Sequence, residues 1–386
     1  MHYLDWLEHL VAFDTTSRRS NLELIHFVQE KLLNAGVEVR LTYAPHEPKA
    51  NLFATLPSTD EKREGGLILS GHTDVVPIDG QKWETPPFQS IRIGDKIFGR
   101  GTCDMKGFLA VCLSLVPDFF NMKLRKPLHL ALSYDEEIGC LGAPLMITDF
   151  LSEGIKPDAC LVGEPTGMKP IVAHKGRSAF RCRIHGKAAH SSLTTLGCNA
   201  LEHAAQGIGY MRSLADHYRN NGPYDPFFDV PFTTFSTNLI QGGNAENTVP
   251  AFCEFYFEFR NLPEDDPDPI TQQINTYLFN ELLPKLREET SDAGIELDTL
   301  CAVPAFKASE QAILTKISRQ ISKEQRLLKV SYGTEAGQFQ SATIPSLICG
   351  PGFIEQAHRP NEFVTLDQLE KCREFLLQLV SRFSAN

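Results

Sequence analysis

Four apolar runs in this chain, each about the length of one buried strand, lead into residues that bind cations or move protons. Leu128-His-Leu-Ala-Leu-Ser-Tyr-Asp135 closes on the adjacent carboxylates Glu136 and Glu137. Leu67-Ile-Leu-Ser70 runs into His72-Thr-Asp74, Ala159-Cys-Leu-Val162 runs into Glu164, and Leu347-Ile-Cys-Gly350 precedes His358. Asp104 stands at the mouth of a helix that the spacing of Phe108, Leu109, Val111, Cys112 and Leu115 predicts over residues 105–115. Continuous apolar runs belong to parallel strands buried on both faces. Open α/β sheets keep their sites beyond the carboxyl ends of such strands. Adjacent carboxylates repel, so a pair that ends a buried strand needs a reason: one can bind a cation while its unbound neighbour moves a proton.

The surrounding pattern predicts two domains, as 386 residues exceed the size at which single cores stop growing. Ser20-Asn-Leu-Glu23 has the form of a capping box for a helix carrying Leu24, Ile25, Val28, Leu32 and Leu33 and stopped by Gly36. Strands follow over 37–42 and 51–56. After Pro165 the grammar changes to strand 178–185, helix 199–214, strand 233–240, strand 251–260, helix 268–289 and strand 294–302. Cys253, Phe255, Phe257 and Phe259 share one side of the 251–260 strand. The β-α-β-β-α-β order is that of a ferredoxin-like module. A helix over 312–322, the strand at 347 and a helix over 366–383 resume the first domain. The expected fold is therefore α/β: a discontinuous catalytic domain, 1–176 and 303–386, with an inserted α+β domain, 177–302.

Charge and cysteine usage exclude other classes. With 37 Lys and Arg against 48 Asp and Glu, the formal charge is −11, which argues against nucleic acid and anionic membranes as partners. The ten cysteines form no CxxC pair, so neither structural zinc through thiolates nor a disulfide framework is expected. The first residues lack a signal-peptide pattern, no stretch reaches the ~20 apolar residues of a spanning helix, and a cytoplasmic protein is expected.

Each candidate has a bland reading when taken alone. Asp104 reads as a helix N-cap, Glu164 as a surface turn and His358 as a loop histidine. Together they need separate innocent explanations, whereas one mixed imidazole and carboxylate site suits zinc and its neighbours. A carboxylate can bridge two such ions, ~3.5–4 Å apart.

Gly71-His-Thr-Asp-Val-Val-Pro77, Gly99-Arg-Gly-Thr-Cys-Asp-Met-Lys-Gly107, Asp135-Glu-Glu137, Gly163-Glu-Pro-Thr166, Gly186-Lys-Ala-Ala-His-Ser191 and the segment from Gly350 to His358 resemble the dinuclear-zinc aminoacylase/carboxypeptidase family, in its order and over nearly the whole chain. The resemblance implies two zinc ions, replaceable by cobalt. Asp104 would bridge them, His72 and Glu164 would complete one site, and Glu137 and His358 the other. Glu136 would be the general base, and Asp74 would fix the His72 ring. His190, otherwise a polar-turn histidine, would reach the active site of a partner subunit and donate to the scissile carbonyl, which implies a homodimer joined through a dimerisation or lid domain.

The implied substrate is a small N-acyl amino acid. Arg260 suits a bidentate grip on its carboxylate, although a cross-strand salt bridge explains that arginine as well; the resemblance adds Asn247. Ser331-Tyr-Gly-Thr334-Glu335-Ala336 sides with the family's deacetylases, and so with N2-acetyl-ornithine, and departs from the wording of its desuccinylases. Thr334 is an expected substrate contact within that wording, and Glu335 is a candidate partner for the ornithine ammonium, or else only a loop organiser. A desuccinylase or peptidase activity remains the alternative. A non-catalytic metal-dependent scaffold is the alternative of another class, disfavoured by the presence of Glu136 beside a full ligand set.

Overall fold

The structure, a computed structural model, describes residues 1–385. It comprises two compact units. Met1–Ala173, Phe306–Lys329 and the chain from Thr334 onward form the first, and His174–Ala305 with Val330–Gly333 form the second.

The first unit is built on a mixed sheet. Its main strands are β1 (Glu38–Tyr43), β2 (Ala50–Leu56), β3 (Leu67–His72), β4 (Leu128–Ser133), β5 (Ala159–Pro165) and β6 (Ser346–Gly350). They lie in the order β1-β2-β4-β3-β5-β6, with short strands beyond β6. β4, β3, β5 and β6 are parallel, whereas β2 and β1 add on antiparallel. Every residue of β2 to β6 is buried, as continuous apolar runs require. β3 pairs with β4 on one side and β5 on the other, so the chain changes direction across the sheet at β3. A crevice forms outside the carboxyl ends of strands at such a point. His72 is the last residue of β3, in register with Ser133, the last of β4.

The helix Lys106–Ser114 packs on β3 and β5 and meets the helices Tyr3–Ala12 and Leu366–Ser384. Its approach depends on a missing side chain. A Cβ at Gly163 would stand 2.2 Å from the ring of Phe108, which is itself buried. Two local expectations need correction. The helix of the second segment starts at Leu22, and Asn21, not Ser20, is its N-cap residue, with no side-chain cap bond. The Asn21 amide instead bonds the backbone of Ala50 and the hydroxyl of Thr73, tying that helix to β2 and to the residue after His72. Asp104 does not cap its helix; Met105 occupies that position.

The second unit has four antiparallel strands in the order Thr234–Gly242, Phe252–Arg260, Arg177–His185, Gly294–Val303. The intervening helices are Ala200–Asn221 and a second one from Pro267 to Glu289, interrupted by a π segment at Tyr277–Leu282. The side of Phe252–Arg260 bearing Cys253, Phe255, Phe257 and Phe259 joins Ile270, Ile274 and Leu278 in the core. No helix among the described residues is long and apolar enough to cross a membrane.

Gly163→Ala should lower the unfolding midpoint of the protein in urea, by the equivalent of ~1–3 kcal/mol for an overpacked core. An unchanged midpoint would contradict the close approach of Phe108.

Candidate metal centre

The carboxyl ends of β3, β4 and β5 and two loops bring five charged side chains together. The two oxygens of Asp104 face different imidazoles: Oδ1 lies 3.0 Å from His72 Nε2, and Oδ2 lies 3.3 Å from His358 Nε2. Glu164 Oε1 is 3.8 Å from His72 Nε2, and Glu137 Oε2 is 3.0 Å from His358 Nε2. Ligand atoms of His72, Asp104 and Glu137 lie within 4.8 Å of one another, as do those of His72, Glu136 and Glu164. Glu137 Oε1 and Glu164 Oε1 are buried without a hydrogen-bond partner. Oxygens of that kind among imidazoles fit divalent cations, so the residues present suit a metal pair.

His72 Nδ1 is 2.9 Å from the backbone carbonyl of Asp74. A carbonyl only accepts, so Nδ1 carries a proton, and the ring would offer Nε2 to a cation once the proton shared there with Asp104 is lost. The Asp74 carboxylate is further away, 3.5 Å from Nδ1. It accepts from the backbone N–H groups of Glu136 (3.1 Å) and Glu137 (3.3 Å) and from the Ser17 hydroxyl (2.7 Å). Asp74 thus orients the ring through its carbonyl and the acid pair through its carboxylate.

Electrostatics follow from crowding. Burial alone would depress the His72 imidazole, but its bonds to Asp104 and Asp74 raise it well above the ordinary histidine range. Bonds to Asp104 and Glu137 push His358 up to about 11. Burial would raise Asp104, yet the two imidazoles hold it below the usual carboxylate range. Burial and Asp104 push Glu137 up to about 7. Glu136 and Glu164 rise well above their usual range, through burial first and then neighbouring acids.

Sequence reasoning missed the supports. Lys49 reaches the Asp135 carboxylate (2.6 Å) and the Ser17 carbonyl (2.7 Å), anchoring the loop that starts the acid pair, where Asp135 has φ +54°. Arg100 and Glu362 form a fully buried ion pair at 2.7 Å beneath Asp104. Charged residues in loops read as solvated, and no periodicity marks them otherwise. Two expected substrate contacts also lie elsewhere than foreseen. Thr334 and Glu335 are buried, with Glu335 1% exposed and 3.4 Å from the Ser70 hydroxyl. That position gives a substrate ammonium no access to Glu335. Burial pushes the Glu335 carboxyl up to about 7.

Arg260, Asn247 and His190 belong to the second unit. Arg260 Nε donates to Glu258 at 2.8 Å, two residues back on its own strand, so the arginine is ion-paired within the strand and the cross-strand bond to Glu258 comes from Arg177. The Asn247 carbonyl accepts from Ser191 N. His190 is exposed and its Nδ1 accepts from Ser192 N at 3.2 Å, which leaves Nε2 carrying the proton of the neutral ring.

Residues 68–382 match peptidase family M20/M25/M40. The acetylornithine deacetylase of Pasteurella multocida is 34% identical over 99% of this chain and 98% of its own length. That of Edwardsiella ictaluri is 34% identical over 96% and 94%. Among solved structures, a Staphylococcus aureus tripeptidase has a TM-score of 0.77 at 20% identity, covering 100% of this chain and 98% of its own. A Sulfolobus solfataricus metallo-carboxypeptidase has 0.77 at 15%, covering both chains fully at 100%. A Bacillus subtilis dinuclear metal binding peptidase has 0.67 at 14%, covering 98% and 97%. At these identities the structures share the fold.

Metal uptake must displace the protons that His72 and Glu164 hold well above their usual ranges, the one that His358 holds up to about 11 and, below about 7, the one on Glu137. Zinc binding should therefore release protons, and affinity should weaken as pH falls, more steeply below about 7. Calorimetry in buffers of differing ionisation enthalpy measures this; pH-independent uptake without proton release would contradict it.

Proposed function

The chain belongs to peptidase family M20/M25/M40 and is a metal-dependent amidohydrolase, and from that premise we propose that it hydrolyses N2-acetyl-L-ornithine to L-ornithine and acetate, a step of arginine biosynthesis. The observation that carries the reading is Asp104, whose two oxygens turn to separate imidazoles. His72 and Glu164 would hold one divalent ion, Glu137 and His358 the other, with Asp104 common to both. Such a donor set suits zinc, with cobalt as a substitute. Ions held there by these residues would lower the pKa of a water from about 15.7 to about 7 and would polarise a carbonyl oxygen.

The chain's own groups do the proton work. Glu136 lies within the cluster, and burial and neighbouring acids raise its affinity for a proton. It takes the proton of the attacking water and passes it to the nitrogen of the departing amine, a contribution of roughly 10²–10⁴-fold. Glu335 enters as a charge that raises Glu136, not as a contact for the ornithine ammonium. His190, protonated on Nε2, is the donor for the developing oxyanion, worth ~10²–10³-fold. It acts in the site of a second copy of the chain, so the working species is a homodimer joined through the inserted domain, 177–302. Arg260 turns from Glu258 to the substrate carboxylate, with Asn247 as a further donor. Ten buried, unpaired cysteines suit a reducing cytoplasm. The substrate itself rests on the relatives' names and on the wording of Ser331 to Ala336.

Glu136→Gln should keep both ions and lose ~10²–10⁴-fold in turnover; metal analysis beside kinetics tests it, and near-normal turnover in the loaded variant would remove Glu136 from the role. A panel of N2-acetyl-ornithine, N-succinyl-diaminopimelate and dipeptides, with zinc or cobalt, tests the substrate. Preference for a succinyl or peptide substrate would overturn acetyl-ornithine and leave the hydrolytic chemistry intact.

A further inference from the structure

Asp104 lies in an irregular loop, and no regular hydrogen-bond ladder holds its backbone in place. Beside a few turn bonds, one carboxylate collects three of the loop's backbone N–H groups. Glu362 Oε1 accepts from the N–H groups of Cys103 (2.9 Å) and Asp104 (3.1 Å), and Oε2 accepts from Gly101 N (3.1 Å) and Arg100 Nη1 (2.7 Å). Arg100 and Glu362 are each 1% exposed. The same arginine reaches the other ligand loop: Nη1 donates to the Arg359 carbonyl (3.3 Å), and Nη2 donates to Gln81 Oε1 (2.6 Å). Gln81 Nε2 in turn donates to the carbonyl of His358 (3.1 Å), whose backbone has φ +61°. A non-glycine residue in that region needs its surroundings to hold it there.

The geometry points to Glu362, Arg100 and Gln81 as a positioning set that holds Asp104 and His358 as one ligand pair, so that the ion shared by Asp104, Glu137 and His358 depends on it more than the ion at His72 and Glu164 does. The inference rests on the two-ion reading proposed above. His72 stands at the end of β3 and Glu164 within β5, so the sheet positions them without this network. Neither member of the pair reached by Glu362 and Gln81 lies in the sheet: Asp104 stands just before the N-cap residue Met105, and His358 lies in a loop. Supports at this remove from a metal typically contribute 10–100-fold in affinity.

The test is stepwise uptake of cobalt by the metal-free protein, followed by its visible absorption against a competing chelator. Glu362→Gln sets an amide N–H₂ against backbone N–H donors and strips Arg100 of its counter-charge; Gln81→Leu is milder, at a half-buried position. Both variants should weaken the second cobalt by ~10–100-fold. The first, which shares Asp104, should weaken less than the second in Glu362→Gln and stay within about threefold in Gln81→Leu, and Gln81→Leu should leave the unfolding midpoint of the metal-free protein unchanged. If Glu362→Gln does not fold, Gln81→Leu decides alone. Two ions bound with wild-type affinities, or both weakened equally, would overturn the positioning set and leave the two-ion reading standing. A wild type that takes up a single cobalt would overturn both.

Discussion

Asp104, Glu136, Glu137 and Glu164 share one buried pocket with only two imidazoles, and that excess of acid is what the surrounding structure is arranged around. Taking an ionised carboxylate out of water costs several kcal/mol unless it is paired. Here the imidazoles go first to Asp104, which they hold ionised, while the outer acids are driven to take up protons. Divalent cations relieve the crowding directly, because they supply the charge the protein withholds. Ions and protons therefore compete for the pocket, as the raised proton affinity of Glu136, Glu137 and Glu164 requires.

The fold supplies the meeting place at little extra cost. Parallel strands buried on both faces end together, and the change of direction at β3 sets His72 between the loop after β4 and the end of β5. What strands cannot place, buried polar bonds do. Asp74 ties the acid pair to the histidine, Lys49 holds the start of their loop, and Glu362 gathers the backbone that carries Asp104. Asp74, Lys49 and Glu362 are themselves buried charged groups that find hydrogen-bond partners, the condition under which such groups are tolerated.

The apolar runs were legible in the sequence because a strand covered on both faces has no polar position to vary, and their acidic or imidazole ends followed from the same reading. The sequence was less informative wherever a polar residue is buried. Ser20 and Glu23 spelt a capping box, yet Asn21 is drawn into the bond with β2 and the helix begins after it. Glu335 looked like a contact for a substrate cation, but it is enclosed near Ser70. Arg100 and Glu362 gave no signal, since a charged loop residue carries no mark of whether it faces water or another loop. Long-range pairing decides that, and one-dimensional patterns do not record it.

On the proposed reading, Asp104 is shared by two ions. Anomalous scattering from crystals grown with zinc tests it most directly. Two peaks ~3.5–4 Å apart are predicted on either side of the Asp104 carboxylate, one beside His72 and Glu164 and the other beside Glu137 and His358. A single peak, or peaks away from Asp104, would contradict it.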